Sequence, residues 1–350
     1  MKDILFFHPV NDFTGSTRSL YNTIQKEYKN KKIAIVLYED KKGFLSELNN
    51  VKLLTLYYPT YNGNGIRIFS GLVRRIHICL LLISVGLFYR EFYINTILPY
   101  HGAIGAFILR KNLTYHIHEF FINKDKQIKK AEYVFDRIKS KRIYVSNYLK
   151  SCYKEKQESP SIIKYNYLPD SFLKDVRLNP IENRKRNTIL MLTSLSMVKG
   201  VWNFIRLAEL LPEYQFQLVI SNNMNNINSF ISKNYSLSKL PSNLKIFPAQ
   251  NNIHPFLADC DLILNLTIPQ FCIETFGLTI LEAMPYSIPA IVPNVGGPTE
   301  IIEHKYNGLC VDVSDVNIVK NAIIQILSDK ELYEFMASNT LKVYNEKFLS

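Results

Sequence analysis

Five short stretches of this 350-residue chain carry residue types that can do chemistry. The densest is Cys272–Pro285, CIETFGLTILEAMP, in which Glu274 and Glu282 stand eight residues apart and Thr275-Phe276-Gly277-Leu278 turns loop into helix. A helix N-terminus presents free backbone N–H groups and the positive end of its dipole, which suits a phosphate. Gly277 lets a ligand approach the backbone closely. Glu282, on the second helical turn, is expected to point back toward that ligand, where a carboxylate accepts two hydroxyls of a ribose. Glu274, before the turn, would reach another part of it. A second anion site is Ser194–Gly200, SLSMVKG, where Lys199 supplies a point charge between a strand and a helix. A third is Asp12–Ser19, DFTGSTRS, whose Gly15, Ser16 and Thr17 give small residues and amides at another helix start. His116–Glu119, HIHE, ends a strand, so that His118 can meet a sugar hydroxyl. Val295–Glu300, VGGPTE, again turns loop into helix, with Pro298 at the favoured first helical position. Taken singly, each stretch also reads as a capped core helix, a surface lysine or a packed histidine.

The elements that must hold these residues alternate along the chain. Apolar β-branched runs at Asp3–His8, Lys32–Tyr38, Val51–Tyr57, Phe92–Ile97, Leu113–Ile117 and Arg142–Ser146 read as strands. Helical patterns at Thr17–Lys29, Ile66–Tyr89, His101–Arg110 and Lys126–Ile138 lie between them. The rhythm breaks at Asp170–Asn187, a polar stretch with a Pro and a basic cluster. It resumes with strands at Thr188–Thr193, Phe216–Ile220, Leu244–Phe247, Leu262–Leu266, Ala290–Val292 and Leu309–Val311. Helices are expected at Lys199–Leu211, Gly277–Tyr286, Pro298–Glu303, Val316–Leu327 and Glu331–Glu346. Such alternation predicts an α/β chain with parallel, doubly wound sheets. The domains expected are residues 1–165, a linker at 166–187, and 188–350. Two consecutive Rossmann-like domains would leave a cleft, and ligands in such sheets bind outside the carboxyl ends of the strands.

Composition narrows the classes. Apolar residues make up 47% and charged residues 21%, so a large core can form and disorder is not the default. The net charge of +12 is carried by the first half: residues 1–165 hold 27 basic and 13 acidic side chains, and residues 166–350 hold 15 and 17. Nucleic acid, anionic membrane and phosphate-bearing ligands are the partners such a field suggests. The five cysteines form no CxxC pair, which argues against a disulfide framework or zinc site and for a reducing compartment. The N-terminus lacks the long apolar segment of a signal peptide. The apolar run Ile76–Phe88, flanked by Arg74, Arg75 and Arg90, is too short to span a bilayer. It reads either as a buried helix or as one that docks on a membrane surface. Asp259-Cys260-Asp261 has the spacing of a metal-binding pair, but between a helix and a buried strand such acids cap and solvate. No P-loop, HExxH, GxGxxG or GxSxG occurs, and no nucleic-acid motif organises the dispersed tyrosines.

Together these stretches resemble the family 4 glycosyltransferases, retaining enzymes of GT-B architecture. The resemblance rests on Glu274 to Glu282 as the E-x7-E motif and continues through Pro289–Val292, Val295-Gly296-Gly297, Glu300 and Asn307-Gly308-Leu309. Residues 255–330 match closely, Thr193–Leu211 matches the turn that opens the second domain, and the first half matches more loosely. The resemblance implies transfer of a sugar from a nucleotide-diphosphate sugar, UDP-linked in the commonest case, to a polysaccharide or lipid-linked glycan. Configuration would be retained, with no metal and no bound cofactor. It implies that Glu274, Lys199 and His118 are catalytic. The donor would be bound by Gly15, Ser16, Ser194, Lys199, Glu274, Thr275, Phe276, Gly277, Leu278 and Glu282. One departure is Ser194, where the family often has an Arg to contact the diphosphate, with Arg18 as a candidate substitute; another is Gln270–Ile273, where shorter polar sequences are usual. The Ser194 departure leaves open a weak, glycosyltransferase-like binding or partner subunit. The implied location is cytoplasmic, peripheral on the inner face of the plasma membrane, with residues 66–90 and the basic first domain toward anionic lipid. No nucleic-acid partner is expected, and the oligomeric state is open.

Overall fold

The computed structural model describes residues 2–49, 51–56, 77–78, 80–82, 84–122, 124–153, 159–176 and 184–349. The chain forms two compact units. The first comprises Met1–Val145 and Leu149–Lys164, and the second Ser146–Tyr148 and Tyr165–Ser350.

The first unit is built on a seven-stranded parallel sheet in the order β3-β2-β1-β4-β5-β6-β7. Its strands are β1 (Lys2–Asn11), β2 (Ile33–Asp40), β3 (Lys52–Thr55), β4 (Tyr89–Asn95), β5 (Asn112–Ile117), β6 (Lys141–Tyr144) and β7 (Ser161–Ile163). The central strands read as near-continuous apolar runs because helices cover both faces of a parallel sheet. Leu5, Phe6, Ile35, Phe92 and Ile94 are accordingly buried. The described helices include α1 (Gly15–Glu27), α2 (Tyr100–Ile108) and α3 (Lys126–Arg137). Asp125 caps α3 by accepting the Ile128 amide. Most of the helix expected at Ile66–Tyr89 lies outside the described residues; of its C-terminal part, residues 77–78, 80–82 and 84 are helical.

The second unit is built on a six-stranded parallel sheet in the order β10-β9-β8-β11-β12-β13. Its strands are β8 (Thr188–Thr193), β9 (Gln215–Ile220), β10 (Leu244–Phe247), β11 (Leu262–Leu264), β12 (Ala290–Pro293) and β13 (Gly308–Val311). Its helices include α4 (Asp170–Lys174), α5 (Val201–Leu210), α6 (Met224–Ile231), α7 (His254–Asp259), α8 (Leu278–Ala283), α9 (Pro298–Ile301), α10 (Val316–Ser328) and α11 (Lys330–Lys347). One core joins the apolar face of α5 (Val201, Phe204, Ile205, Ala208) to β8, β9, β11 and the inner faces of α10 and α11. Elements not foreseen include α6, within an asparagine-rich run, the helix Asn147–Cys152 and the short β7 at a sheet edge. The stretch expected as a linker contributes packed structure. Within it α4 is helical, and buried Arg184 donates to the carbonyls of Ser287 and Tyr286 and to the Tyr333 hydroxyl.

Both sheets are Rossmann-like. Strand order reverses at β1/β4 in the first and at β8/β11 in the second, which fixes where loops at the carboxyl ends diverge and can receive a ligand.

Candidate active site

The loops leaving β8 and β11 part at the second sheet's reversal point, and they bring Lys199 and Glu274 together. Lys199 Nζ donates to Glu274 Oε2 at 2.8 Å. Lys199 ends a short 3-10 turn, Met197–Lys199, and Glu274 lies in the loop before α8. Burial is the largest single influence and disfavours both charges, but the partner's charge and the hydrogen bonds together outweigh it. Lys199 is raised above the ordinary lysine value, and Glu274 is held below the ordinary carboxylate value. Both are therefore ionised across the neutral range. Thr267 Oγ1 stands 3.4 Å from Lys199 Nζ and 3.4 Å from Glu274 Oε2, and Asn265 also hydrogen-bonds Glu274. These two partners follow β11 at its carboxyl end and were not singled out in the sequence. Polar residues directly after a buried strand were the available signal.

The loop carrying Glu274 is seated by the glycine pair foreseen as a helix start. The Gly297 amide donates to the Glu274 carbonyl at 2.9 Å. A Cβ on Gly297 would lie 2.0 Å from the Thr275 carbonyl oxygen, so only glycine admits this approach. Gly277 caps α8 in the left-handed region at φ +103°, and no side chain caps that N-terminus. Thr275, Phe276 and Leu278 thus line the backbone around a helix start, as the sequence led one to expect. The Phe276 ring is buried, and the Thr275 carbonyl accepts the Ser146 hydroxyl at 2.7 Å. Glu282 is on α8 with its side chain only 6% exposed, so it is held inside the protein rather than displayed on the surface. Ser194 directs its carbonyl to the Ser196 amide at 2.8 Å, and its side chain brings no second cation.

Glu300, seen in sequence only as the end of a motif, anchors the second unit. Its carboxylate accepts the Asn147 amide at 2.9 Å, Asn147 Nδ2 at 2.8 Å, the Tyr148 amide at 2.6 Å and the Tyr165 hydroxyl at 2.9 Å. Asp259 and Asp261 are likewise engaged: Asp259 accepts from Gln217, and Asp261 takes the amides of Asn187 and Thr188.

In the first unit, Gly15, Ser16 and His118 gather at that sheet's own reversal point. Asn95, at the end of β4, donates through Nδ2 to His8 Nδ1 at 3.0 Å and to the Ser16 carbonyl at 3.2 Å. The carbonyl contact fixes the amide orientation, so Asn95 Oδ1 accepts from His118 Nε2 at 2.9 Å. His8 then donates from Nε2 to Thr17 Oγ1 at 3.0 Å, and Thr17 donates to Asp12 Oδ1 at 2.8 Å. The chain from His118 to Asp12 is therefore directional. Burial holds His8 at about 4 and His116 at about 3, and it puts His118 well below its ordinary value, so all three are neutral near pH 7. Gly15 opens α1, and a Cβ there would meet nothing within 4 Å. Among the described residues, nothing in its own unit requires this residue to be glycine. Arg18 is held with its guanidinium 4.6 Å from the centroid of the Phe44 ring.

Two Rossmann-like parallel sheets, each with its own reversal point, are also the fold of solved glycosyltransferases. Anabaena HepE in complex with UDP-glucose has a TM-score of 0.81 to this chain at 21% identity, covering 99% of this chain and 96% of that one. WaaG, a glycosyltransferase involved in lipopolysaccharide biosynthesis, has a TM-score of 0.72 at 13% identity, covering 98% and 95%. At these identities the likeness is one of fold. Residues 176–343, just under half of the chain, match the family described as Glycosyl transferases group 1. N-acetyl-alpha-D-glucosaminyl L-malate synthase of Bacillus anthracis is 38% identical over 101 residues, which is 29% of this chain and 26% of that protein. The match thus spans about a quarter of that relative's length.

Proposed function

We propose that this protein is a retaining hexosyltransferase that moves a sugar from a nucleoside-diphosphate sugar, UDP-linked, to a polysaccharide or lipid-linked glycan. The single observation that carries the reading is the Lys199–Glu274 pair at the β8/β11 reversal, beside the uncapped start of α8. On this reading the diphosphate takes Lys199 as its counter-charge and the amides around Gly277 as donors, and charge building on the leaving group is stabilised there. Glu274, freed from Lys199, accepts sugar hydroxyls, and Glu282 accepts those of the ribose. His118 meets the donor sugar with the neutral ring that burial enforces. The acceptor hydroxyl attacks on the face the diphosphate leaves, and a phosphate oxygen takes its proton. HepE was crystallised with UDP-glucose, which supports the choice of UDP.

Metal independence is part of the proposal. It is supported by Asp259 and Asp261 being committed to separate partners, Gln217 and two backbone amides. A location on the inner face of the plasma membrane is also proposed; among the described residues no helix is long and apolar enough to cross a membrane. Release of nucleoside diphosphate from UDP-, GDP- and dTDP-sugars, with and without chelator, tests the whole reading. UDP release that survives chelation and is lost in Lys199→Ala supports it. Release abolished by chelator, or full release in that variant, contradicts it. The second reading, a weak binding subunit, is favoured only by Ser194 in place of a cation. Donor binding without turnover would establish it.

A further inference from the structure

The strand order of the first sheet places three helical stretches on one face. The steps β3 to β4, β4 to β5 and β5 to β6 all move in the same direction across the sheet. Right-handed crossovers therefore put the helical residues between 77 and 84, α2 and α3 side by side, and α1 on the opposite face. The packing agrees. A Cβ on Gly105 of α2 would lie 2.6 Å from Leu82, one on Gly86 would lie 3.1 Å from Leu109, and Lys111 Nζ donates to the Leu87 carbonyl at 3.1 Å. Between α2 and α3 runs a groove of about 360 Å³ walled by Tyr100 and Tyr133 and edged by Lys129 and Lys130.

The outer surface of this layer is unusual in two respects. Large apolar side chains cluster on it: Phe107 is 70% exposed, Ile108 69%, Phe88 62%, Leu80 59% and Leu87 49%. Scattered exposed apolar residues are ordinary, but a connected patch marks an interaction surface. Beside it, α3 presents Lys126, Lys129, Lys130 and Arg137 to solvent, with the Arg137 guanidinium 3.6 Å from the centroid of the exposed Tyr133 ring. Arg90 and Arg110 are exposed at the apolar cluster itself. Of the acids of these elements, Glu91 accepts from Thr114, Glu132 pairs with Lys124, Asp125 caps α3 and Asp136 is half-buried.

We propose that this helix layer docks on an anionic lipid bilayer. The apolar side chains enter the interface, and the flanking cations meet the headgroups. An anionic bilayer satisfies both halves of the patch. A nucleic acid would leave the apolar cluster without a partner, and a second copy of this chain would set like charges against one another. The inference deepens the proposed location and draws its purpose, delivery of a lipid-linked acceptor, from the proposed function; binding itself is measured without any turnover.

The test is co-sedimentation of the full chain with vesicles of phosphatidylcholine alone and of phosphatidylcholine mixed with phosphatidylglycerol. The expected result is binding to the anionic vesicles only, weakened by salt. The double variants F107S/I108S and K129E/K130E should each lower binding by about tenfold or more. Thermal melts of both, with and without UDP, should match the parent because every altered side chain is exposed. Failure of the parent to prefer anionic vesicles, or unchanged binding by both variants, overturns the proposal. So does concentration-dependent dimerisation that F107S/I108S abolishes. Vesicle binding that persists while UDP has no effect on the melt would refute the donor reading and leave the docking surface standing.

Discussion

The ion pair and its hydrogen bonds together offset the burial of Lys199 and Glu274, so the pair has a defined pH window. The depressed Glu274 value adds stability above the unfolded carboxylate value of 4.5, which is lost as pH falls through the folded value. The raised Lys199 value adds stability below 10.5, which is lost as pH rises past it. Lys199→Met should therefore cost about 1–2 kcal/mol across the neutral range, with the gap to the parent closing in acid, as read from melts between pH 3 and 8. Gly15→Ala separates packing from ligand approach: its Cβ would meet no neighbour, so the melt should not move, while donor binding measured by calorimetry should weaken. Asn95→Leu should lower turnover by about tenfold or more, because it removes the acceptor that sets the His118 tautomer. Nitrogen NMR of the His118 ring should then show both tautomers, which loss of packing alone would not produce. Glu274, Lys199 and Gly277 were legible in sequence because their signal is local, a loop running into a helix. Asn95 and Thr267 were not, since their partners lie 87 and 68 positions away and meet them only through the sheet order.

At the level of elements, the glycines of the loop before α9 and of the α8 cap respond differently to a methyl group. Gly297→Ala drives a Cβ into the Thr275 carbonyl, backbone against backbone, and should destabilise by roughly 1–3 kcal/mol or displace Glu274 from Lys199. Gly277→Ala meets only ordinary contacts, the nearest at 3.5 Å, and carries the dihedral penalty alone, about 1–2 kcal/mol. A thermal melt of each variant with and without UDP distinguishes the two. Most elements were readable because apolar strand runs and amphipathic helices have different periods, and the largest errors fell where that contrast fails. Helix α6 begins in MNNINSF, where polar asparagines hide the buried Ile227 and Ile231. The 166–187 stretch looked like a tether because it is polar. Arg184 is nonetheless buried, since three acceptors from distant parts of the unit converge on its guanidinium. Glu300 was visible as a motif letter, but its four donors come from residues 147, 148 and 165, which no local pattern connects to it.

The whole molecule joins a near-neutral second half to a strongly basic first half, and its response to acid should begin in the first. The three buried histidines stay neutral in the folded state and take protons on unfolding below 6.5, so they withdraw stability as pH falls from 6.5 toward 4. Glu119, which burial raises to about 7, acts the other way, holding its proton in the folded state between 4.5 and 7. With three groups against one, melting temperature should fall between pH 6.5 and 4.5, and His8→Gln should flatten that slope. Proteolysis across the same range should cut the first unit before the second. On the proposed function, the β8/β11 reversal in the second unit binds a nucleoside-diphosphate sugar through Lys199 and the start of α8. Calorimetric titration of the full chain with UDP-glucose, in parent and Lys199→Ala protein, is the decisive measurement. The expected result is saturable binding to the parent, unaffected by chelator and weakened at least about tenfold in the variant. Equal binding by the two proteins, or no binding of any nucleoside-diphosphate sugar to the parent, would contradict it.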